Sequence, residues 1–327
     1  MSLVAVGDAL IHNGIYLDAS LGNGKYDFMD MFTDIEPLIQ NYDLKYYNQE
    51  TIIGGKNLGL SNYPRFNSPD EIGLDMLKTG FNMVSLANNH ALDKNEVGVL
   101  YSVNFWNNTN AIVSGQNSSF EDRNNKIKVY EENGIIYAFL AYTNSTNGLS
   151  IPNGKEYLIN VYSNEQAQED IDKIKDSVDV IIVAMHWGSE YSHTPNDLQK
   201  DQAKYLSSLG VDLIIGSHPH VIQPVSYVDN TLVIYSLGNF ISAQKSLGLA
   251  KIIGLMVGTD IVVKDNNVIF ENINYNLLYT YCTNNYKNFK VIPITNLTEE
   301  ILPNHDKIEE QYLNIVKSEV IYDWNKK

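Results

Sequence analysis

Leu213-Ile214-Ile215-Gly216-Ser217-His218-Pro219-His220 is the stretch from which the fold of this 327-residue chain is read. An apolar run ends at a glycine, and two histidines follow with one residue between them. A short apolar run bounded by Gly and Pro reads as a buried strand entering a turn. In open α/β sheets, ligands collect beyond the carboxyl ends of the strands. Two imidazoles on a stiff turn there can bind metal, because each offers one neutral nitrogen. Taken alone, the pair is better read as two loop histidines bonded to backbone or water. Ligation requires other strand ends to supply partners.

Working outward, the chain alternates strands and helices. Leu3 to Val6 reads as a buried strand ending in Gly7-Asp8, with His12 four residues beyond the aspartate. Met29 to Tyr42 has helical spacing despite Pro37. Leu44 to Tyr47 is a strand that ends in Asn48-Gln49-Glu50. Ser68-Pro69-Asp70-Glu71 has the residues of a capping box, so a helix is expected from there to Thr79, closed by Gly80. Met83 to Leu86 is a strand ending in Ala87-Asn88-Asn89-His90, followed by a helix from Glu96 to Asn108. A hairpin joins Ile127–Tyr130 to Ile135–Leu140 across Asn133-Gly134. A helix over Glu165–Asp176 leads to a buried strand, Val178–Met185, ending in His186-Trp187-Gly188-Ser189-Glu190. The helix Asp197–Leu209 feeds the quoted stretch. A second hairpin, Val221–Val228 with Leu232–Leu237, ends at Gly238-Asn239-Phe240. Two further strands are expected over Leu255–Val263 and Val268–Tyr275, and a helix over Lys307–Val320. No internal repeat or linker-like stretch appears, and the pattern is that of one domain with a mixed β core and helices outside.

Composition narrows the function classes. A formal charge of −16 excludes an ordinary nucleic-acid-binding surface and repels polyanions unless bound cations change the field locally. The single Cys282 excludes an internal disulfide framework and a cysteine-cluster metal site. No run has the length of a transmembrane helix.

The strand ends decide the chemistry. Asp8 with His12, Glu50, Asn88-Asn89-His90, His186, and His218 with His220 all stand where a strand stops. A mixed set of carboxylate, amide and imidazole donors suits Zn, Mn or Fe. The inventory exceeds one tetrahedral site, and two metals sharing a carboxylate, roughly 3.5–4 Å apart, would activate a water and clamp the oxygens of a displacement.

Gly7-Asp8, Asn48-Gln49-Glu50-Thr51, Ser85 to Asp93, His186 to Tyr191, Gly216 to His220 and Tyr235 to Phe240 together resemble the CapA (PgsA-like) family of bacterial poly-γ-glutamate capsule synthesis. The resemblance covers about residues 3 to 243 in order. That family is similar to the calcineurin-like metallophosphoesterases, which implies an α/β fold, a four-layer α/β/β/α sandwich of two mixed sheets flanked by helices. It implies a domain over residues 1–280 and a C-terminal extension over 281–327 packed on it. It also implies two divalent metal ions, with Asp8 and His220 on the first, Asn89, His186 and His218 on the second, Glu50 bridging, and His90 as general acid. Two departures stand out. His12 lies four positions after Asp8 where the superfamily has Asp-x-His, which leaves it a metal ligand or a loop histidine. Glu50 replaces the usual aspartate and lengthens the bridging arm.

Other residues carry narrower expectations. Asn88 caps the turn, Glu190 bonds to a ligand histidine, and Asn239 reaches the site rim. Arg65 is an anion-binding candidate or an ordinary surface arginine. Trp187 belongs to the core, and His193 and His305 to the surface. The function implied is hydrolysis or transfer at a phosphoryl or acyl centre in capsule assembly, on an anionic polymer such as poly-γ-glutamate or a phosphorylated small molecule. Partners would be capsule-synthesis membrane proteins and not nucleic acid. The expected location is extracytoplasmic, tethered to the membrane by an N-terminal segment outside this sequence. Two competing classes are a non-catalytic polymer-assembly protein that retains a metal site, and a cytoplasmic metallophosphatase for a small phosphate ester.

Overall fold

The computed structural model describes residues 1–322, so the last residues of the expected C-terminal extension, 323–327, lie outside the described residues. Two mixed sheets carry the fold. The first runs in the order β16 (Lys290–Pro293), β15 (Asn267–Tyr281), β14 (Ile253–Lys264), β1 (Ser2–Leu10), β4 (Leu44–Asn48), β5 (Met83–Ser85) and β6 (Ile112–Ser114), with β13 (Asn239–Ser242) also pairing with β1. The second runs β11 (Val225–Val228), β12 (Thr231–Ile234), β10 (Leu213–Ser217), β9 (Val180–His186), β8 (Ile135–Thr143) and β7 (Val129–Glu132). A small hairpin of β2 (Ser20–Gly22) and β3 (Lys25–Tyr26) stands apart, next to the short helix α1 (Asn13–Asp18).

Strand alternation explains the layers. In β9, Val180, Ile182 and Ala184 join a core shared with Leu3, Ala5, Leu44, Tyr46 and Met83 of the other sheet. Their neighbours Ile181, Val183 and Met185 pack outward with Ala167 and Ile171 of α6 (Asn164–Asp172) and Ala203 and Leu206 of α7 (Asp197–Ser208). On the first sheet Val4, Val6, Tyr47 and Val84 face outward, onto Ile39 of α2 (Glu36–Ile39), Ile72 and Met76 of α3 (Asp70–Thr79) and Trp106 of α4 (Asn95–Asn107). The result is the α/β/β/α sandwich expected. After β6, α5 (Phe120–Lys126) begins at Ser119, whose hydroxyl accepts from the Asp122 amide.

The alternation also dictates what lies at the carboxyl ends. Asn48 is two residues beyond Tyr46, Ser85 two beyond Met83, His186 two beyond Ala184 and Ser217 two beyond Ile215. All therefore emerge between the sheets, at one end of the sandwich.

Two strands need an exception. By alternation Asp8 would follow Val4 and Val6 to the outer face. The register between β1 and β4 slips between Ala5 and Asp8, so Asp8 stands opposite Asn48, on the inter-sheet side. β1 thus continues past Gly7, because β13 takes up its pairing from Asp8 to Leu10. Gly7 sits so close to Gly238 that a Cβ there would lie 1.8 Å from the Gly238 carbonyl oxygen.

Several local expectations are corrected. The helix expected over Met29–Tyr42 is a 3₁₀ turn, Met29–Phe32, and the separate four-residue α2, since Pro37 fits only a first turn and cannot continue an earlier helix. The Ser68 capping box does not form. Ser68 is buried and its hydroxyl donates to Thr51 Oγ1 at 2.7 Å, while Glu71 takes Lys56 at 2.6 Å, so α3 begins after Pro69. The box that does form is Asn196 with Gln199, at the start of α7. The last helix, α8, spans His305–Val316 and not Lys307–Val320. It packs Tyr312 and Val316 into the inter-sheet core together with Ile292 and Ile294.

Candidate metal centre

The quoted stretch ends in a strained turn. His218 and His220 have φ of 96° and 57°, in a region that side chains with a Cβ rarely adopt. Gly216 makes the approach feasible, because a Cβ there would lie 2.0 Å from the Tyr235 carbonyl oxygen. The turn carries both imidazoles over the end of β1, where the His218 amide donates to Asp8 Oδ2 at 3.3 Å.

Three overlapping donor groups converge here, and two of them share Glu50. Ligand atoms of Asp8, Glu50 and His220 lie within 4.8 Å of one another, and so do those of Glu50, His186 and His218. Glu50 Oε1 is 3.7 Å from His220 Nε2 and 3.7 Å from His186 Nε2. His186 Nε2 is also 3.1 Å from Asn89 Oδ1 and 3.1 Å from His218 Nδ1. The far sides of the rings are held. His220 Nδ1 meets Asn239 Oδ1 at 3.0 Å, and His186 Nδ1 meets Ser217 Oγ at 2.8 Å. With those nitrogens carrying the protons, each Nε2 presents a lone pair to the centre. Asn239 is itself locked, its amide donating to the Lys251 carbonyl at 2.8 Å and to Gln244 Oε1 at 3.0 Å. Asp8 Oδ1 accepts from Asn48 Nδ2 at 2.8 Å.

The fit to a cation can be judged from Glu50. Its side chain is fully buried, yet neither carboxylate oxygen has a hydrogen-bond partner among the described residues. A buried carboxylate left this way is costly unless a positive charge is placed against it. Oxygen and imidazole donors facing that gap suit a divalent transition metal. Electrostatics agrees. Burial, then the charge of neighbouring His218, pushes His186 well below the ordinary imidazole range, and burial with His220 lowers His218 to about 4. Both are therefore neutral at pH 7 and available as ligands. Burial opposes charge on His220 as well, but Glu50 and Asp8 outweigh it and hold that ring up at about 9. Burial raises Glu50 well above the usual carboxylate range. In the absence of metal, the Glu50–His220 pair retains a proton that a cation would displace.

Beside this centre lies a cavity of about 490 Å³ lined by Tyr63, Pro64, Arg65, His90, Asp93, Asn147, Leu149 and Glu190. His90 stands in its wall. Its Nδ1 is 2.7 Å from Asp93 Oδ2, and its Nε2 is 3.4 Å from Asn147 Nδ2. The edge of Phe66 packs on the ring at 4.7 Å between centroids.

Residues 2–244 match the family described as "Bacterial capsule synthesis protein PGA_cap". The chain belongs to that family. It is 32% identical over 174 residues to the PGA biosynthesis protein CapA of Bacillus subtilis (strain 168), covering 50% of this chain and 43% of that protein. It is 26% identical over 258 residues to the capsule biosynthesis protein CapA of Bacillus anthracis, covering 75% of this chain and 60% of that one. This member of the family thus spans about half the length of the curated relatives it matches. Among solved structures, a Staphylococcus aureus protein crystallised with α-ketoglutarate shares the fold at a TM-score of 0.51 and 15% identity, over 94% of this chain and 58% of its own. The calcineurin-like phosphoesterase YfkN of Bacillus subtilis aligns over 96% of this chain and 98% of its own at 14% identity, with a TM-score of 0.48.

In this PGA_cap chain the structure brings together Asp8, Glu50, Asn89, His186, His218 and His220, with His90 one cavity wall away. His12 is not among them. Its Nδ1 sits 3.0 Å from the Leu10 carbonyl oxygen and the residue lines a second cavity with Asn13, Asn62 and Lys287, while its ring packs on Phe66 and burial, then the charges of His220 and His90, lower its pKa to about 4. Asn88 braces the turn, donating to the Gln49 carbonyl at 2.9 Å and accepting from the His90 amide at 3.0 Å. Glu190 is exposed at the mouth, its ligand atom within 4.8 Å of those of His218 and His220. Trp187 is core, stacked on Tyr235 with its Nε1 donating to the Tyr235 carbonyl at 2.9 Å. His193 is half-buried, its Nδ1 2.8 Å from the Ile222 carbonyl oxygen. Sequence reasoning passed over Asn48, Ser217 and Asp93. Asn48 and Ser217 are found by extending strand parity one step past each apolar run. Asp93 is three residues beyond His90, a spacing that in a turn brings the two side chains together.

Proposed function

We propose that this chain is a metal-dependent hydrolase or transferase of capsule assembly, acting at a phosphoryl or acyl centre outside the cytoplasm. The observation that carries the reading is the shared Glu50: a buried carboxylate without hydrogen bonds, between two groups of ligand atoms. Asp8 and His220 would hold one ion, and Asn89, His186 and His218 the other, with Glu50 between them. Two divalent ions of Mn, Zn or Fe type would supply a water of lowered pKa and a clamp on the oxygens of a displacement. His90 supplies the proton. With Asp93 at Nδ1, the ring is held so that Nε2 faces the cavity and can protonate a leaving group there.

The names of the two Bacillus relatives support a substrate or partner in capsule synthesis, such as poly-γ-glutamate or a phosphorylated precursor handled with membrane-bound capsule proteins. They also motivate a place at the cell surface with an anchor outside this sequence. No helix among the described residues is long and apolar enough to cross a membrane. The test is metal analysis of the purified protein together with hydrolysis of an aryl phosphate and an aryl ester, in wild type and His90→Ala. Expected are bound divalent metal in both proteins and a fall in kcat of roughly 10²–10⁴-fold in the variant. Metal without turnover of either probe would favour the non-catalytic assembly role, and no metal after Mn or Zn supplementation would overturn the two-ion centre.

A further inference from the structure

The chain contains 23 Lys and Arg residues, of which two are arginines, Arg65 and Arg123. Arg123 is buried and committed, its guanidinium donating to both carboxylate oxygens of Asp170. Arg65 is exposed on the wall of the cavity that holds His90, and no described residue pairs with its guanidinium. A chain that uses lysine at almost every other cationic position thus keeps an unpaired planar fork beside the reacting centre.

The loop that presents Arg65 is rigid. Ser61 and Asn67 exchange backbone hydrogen bonds at 3.0 and 3.2 Å, closing residues 61–67 on themselves. The buried Asn67 amide anchors this loop to the Gly54 amide at 2.8 Å and the Gly55 carbonyl at 2.9 Å. Ser61 Oγ donates to the Arg65 carbonyl at 2.6 Å. The next amide, of Phe66, donates to Asp93 Oδ2 at 2.6 Å, the same oxygen that takes His90 Nδ1. One carboxylate therefore fixes both the backbone beside Arg65 and the His90 ring. Of the two carboxylates lining the cavity, Asp93 is engaged by the Phe66 amide and His90, and a Glu190 oxygen lies within 4.8 Å of ligand atoms of His218 and His220, so neither pairs with Arg65.

We infer that Arg65 determines substrate class: its guanidinium grips a carboxylate or phosphate adjacent to the group that reacts beside His90. The substrate then carries an anionic group next to the bond that reacts. In a chain of net charge −16, this rigid fork supplies local attraction for a polyanion that the rest of the surface repels. The inference rests on the proposed reading of the cavity as the substrate site.

The experiment is calorimetric titration of tri-γ-glutamate, its methyl ester and O-phosphoserine into wild type, Arg65→Lys and Arg65→Met. Each protein is measured after stripping on a chelating resin and again with Mn. Wild type is expected to bind at least one of the two polyanions but not the ester, with the better ligand naming the source of the oxyanion. Arg65→Met should weaken Kd about 10-fold or more, and Arg65→Lys by less, with or without Mn, because a charge-assisted fork is lost and only a point charge restored. The Mn-induced rise in Tm should be the same in all three proteins. An unchanged Kd in Arg65→Met, or no binding of either polyanion by wild type, overturns the inference. Failure of the metal reading has a different signature, the absence of a Mn-induced rise in wild type.

Discussion

Replacing Glu50 by Gln should change the sign of its effect with metal. The carboxylate is fully buried, neither oxygen is hydrogen bonded, and the two nearest imidazole nitrogens are 3.7 Å away, beyond hydrogen-bond reach. Without metal, such a group costs on the order of 1–3 kcal/mol or more. Gln keeps the shape and has neither a charge to desolvate nor a proton to hold against pH 7.5. It also removes an attraction for His220, but Asp8 remains 3.5 Å from that ring, so the burial cost decides the sign. At about 2 °C per kcal/mol for a chain of this size, Glu50→Gln should melt roughly 2–6 °C above wild type after chelation. Mn or Zn at about 1,000 times Kd should stabilise wild type by about 4 kcal/mol, or roughly 8 °C. The variant lacks the shared ligand and should gain almost nothing. Differential scanning calorimetry at pH 7.5, with and without metal, should therefore show the order of melting reverse. The reasoning fails if the chelated variant melts below wild type, or if both proteins gain equally from metal.

Three further perturbations test separate parts of the structure. Gly216→Ala places a Cβ 2.0 Å from the Tyr235 carbonyl and should cost about 3 kcal/mol, read as a lower urea midpoint; a loss below about 1 kcal/mol would contradict the close approach. Asp93→Asn keeps an acceptor for the Phe66 amide but withdraws the charge that holds His90, so kcat should fall roughly 10²-fold or more while metal-induced stabilisation persists; wild-type kcat would remove His90 from proton transfer. Asp212 is raised by burial from 3.8 to about 6, although the Ile181 amide opposes the shift. The folded protein therefore holds this proton more tightly than the unfolded chain, and stability falls by up to about 3 kcal/mol as pH rises from about 4 to 6. Asp212→Asn should raise Tm at pH 7.5 and lose that advantage by pH 4. A gain that does not depend on pH would refute the assignment.

Much of the fold was legible because local physics agreed with it. The runs Val180–Met185 and Leu213–Ile215 are short, apolar and rich in β-branched residues, which favours buried strands, and Gly80 and Gly210 mark helix ends with no tertiary help. Expectations failed where a distant partner outbid a local one. Ser68 gave its hydroxyl to Thr51 in place of the α3 amides, and β1 ran past Gly7 because β13, more than two hundred residues later, offered it a ladder. For the site, the donor types and their appearance at successive strand ends were visible in the chain itself. The three residues passed over each act through contacts with side chains on other elements or across a turn.

What the sequence determined by itself was the inventory: which donors exist, that they stand where strands stop, and that the chain has too little cationic surface to hold a polyanion broadly. The tertiary structure decided geometry that period-two alternation does not specify. A slip of one residue in the β1–β4 register turns Asp8 from the outer face to the inter-sheet face. His12, four residues on, enters neither of the groups that Glu50 joins, and its Nδ1 lies 3.0 Å from the Leu10 carbonyl oxygen. The positive backbone angles of His218 and His220 are strained locally and persist because Gly216 packs against Tyr235 and the Asp8 carboxylate accepts the His218 amide. Only the closed sandwich brings these contacts together, so only there does a two-histidine turn become one side of a candidate metal centre.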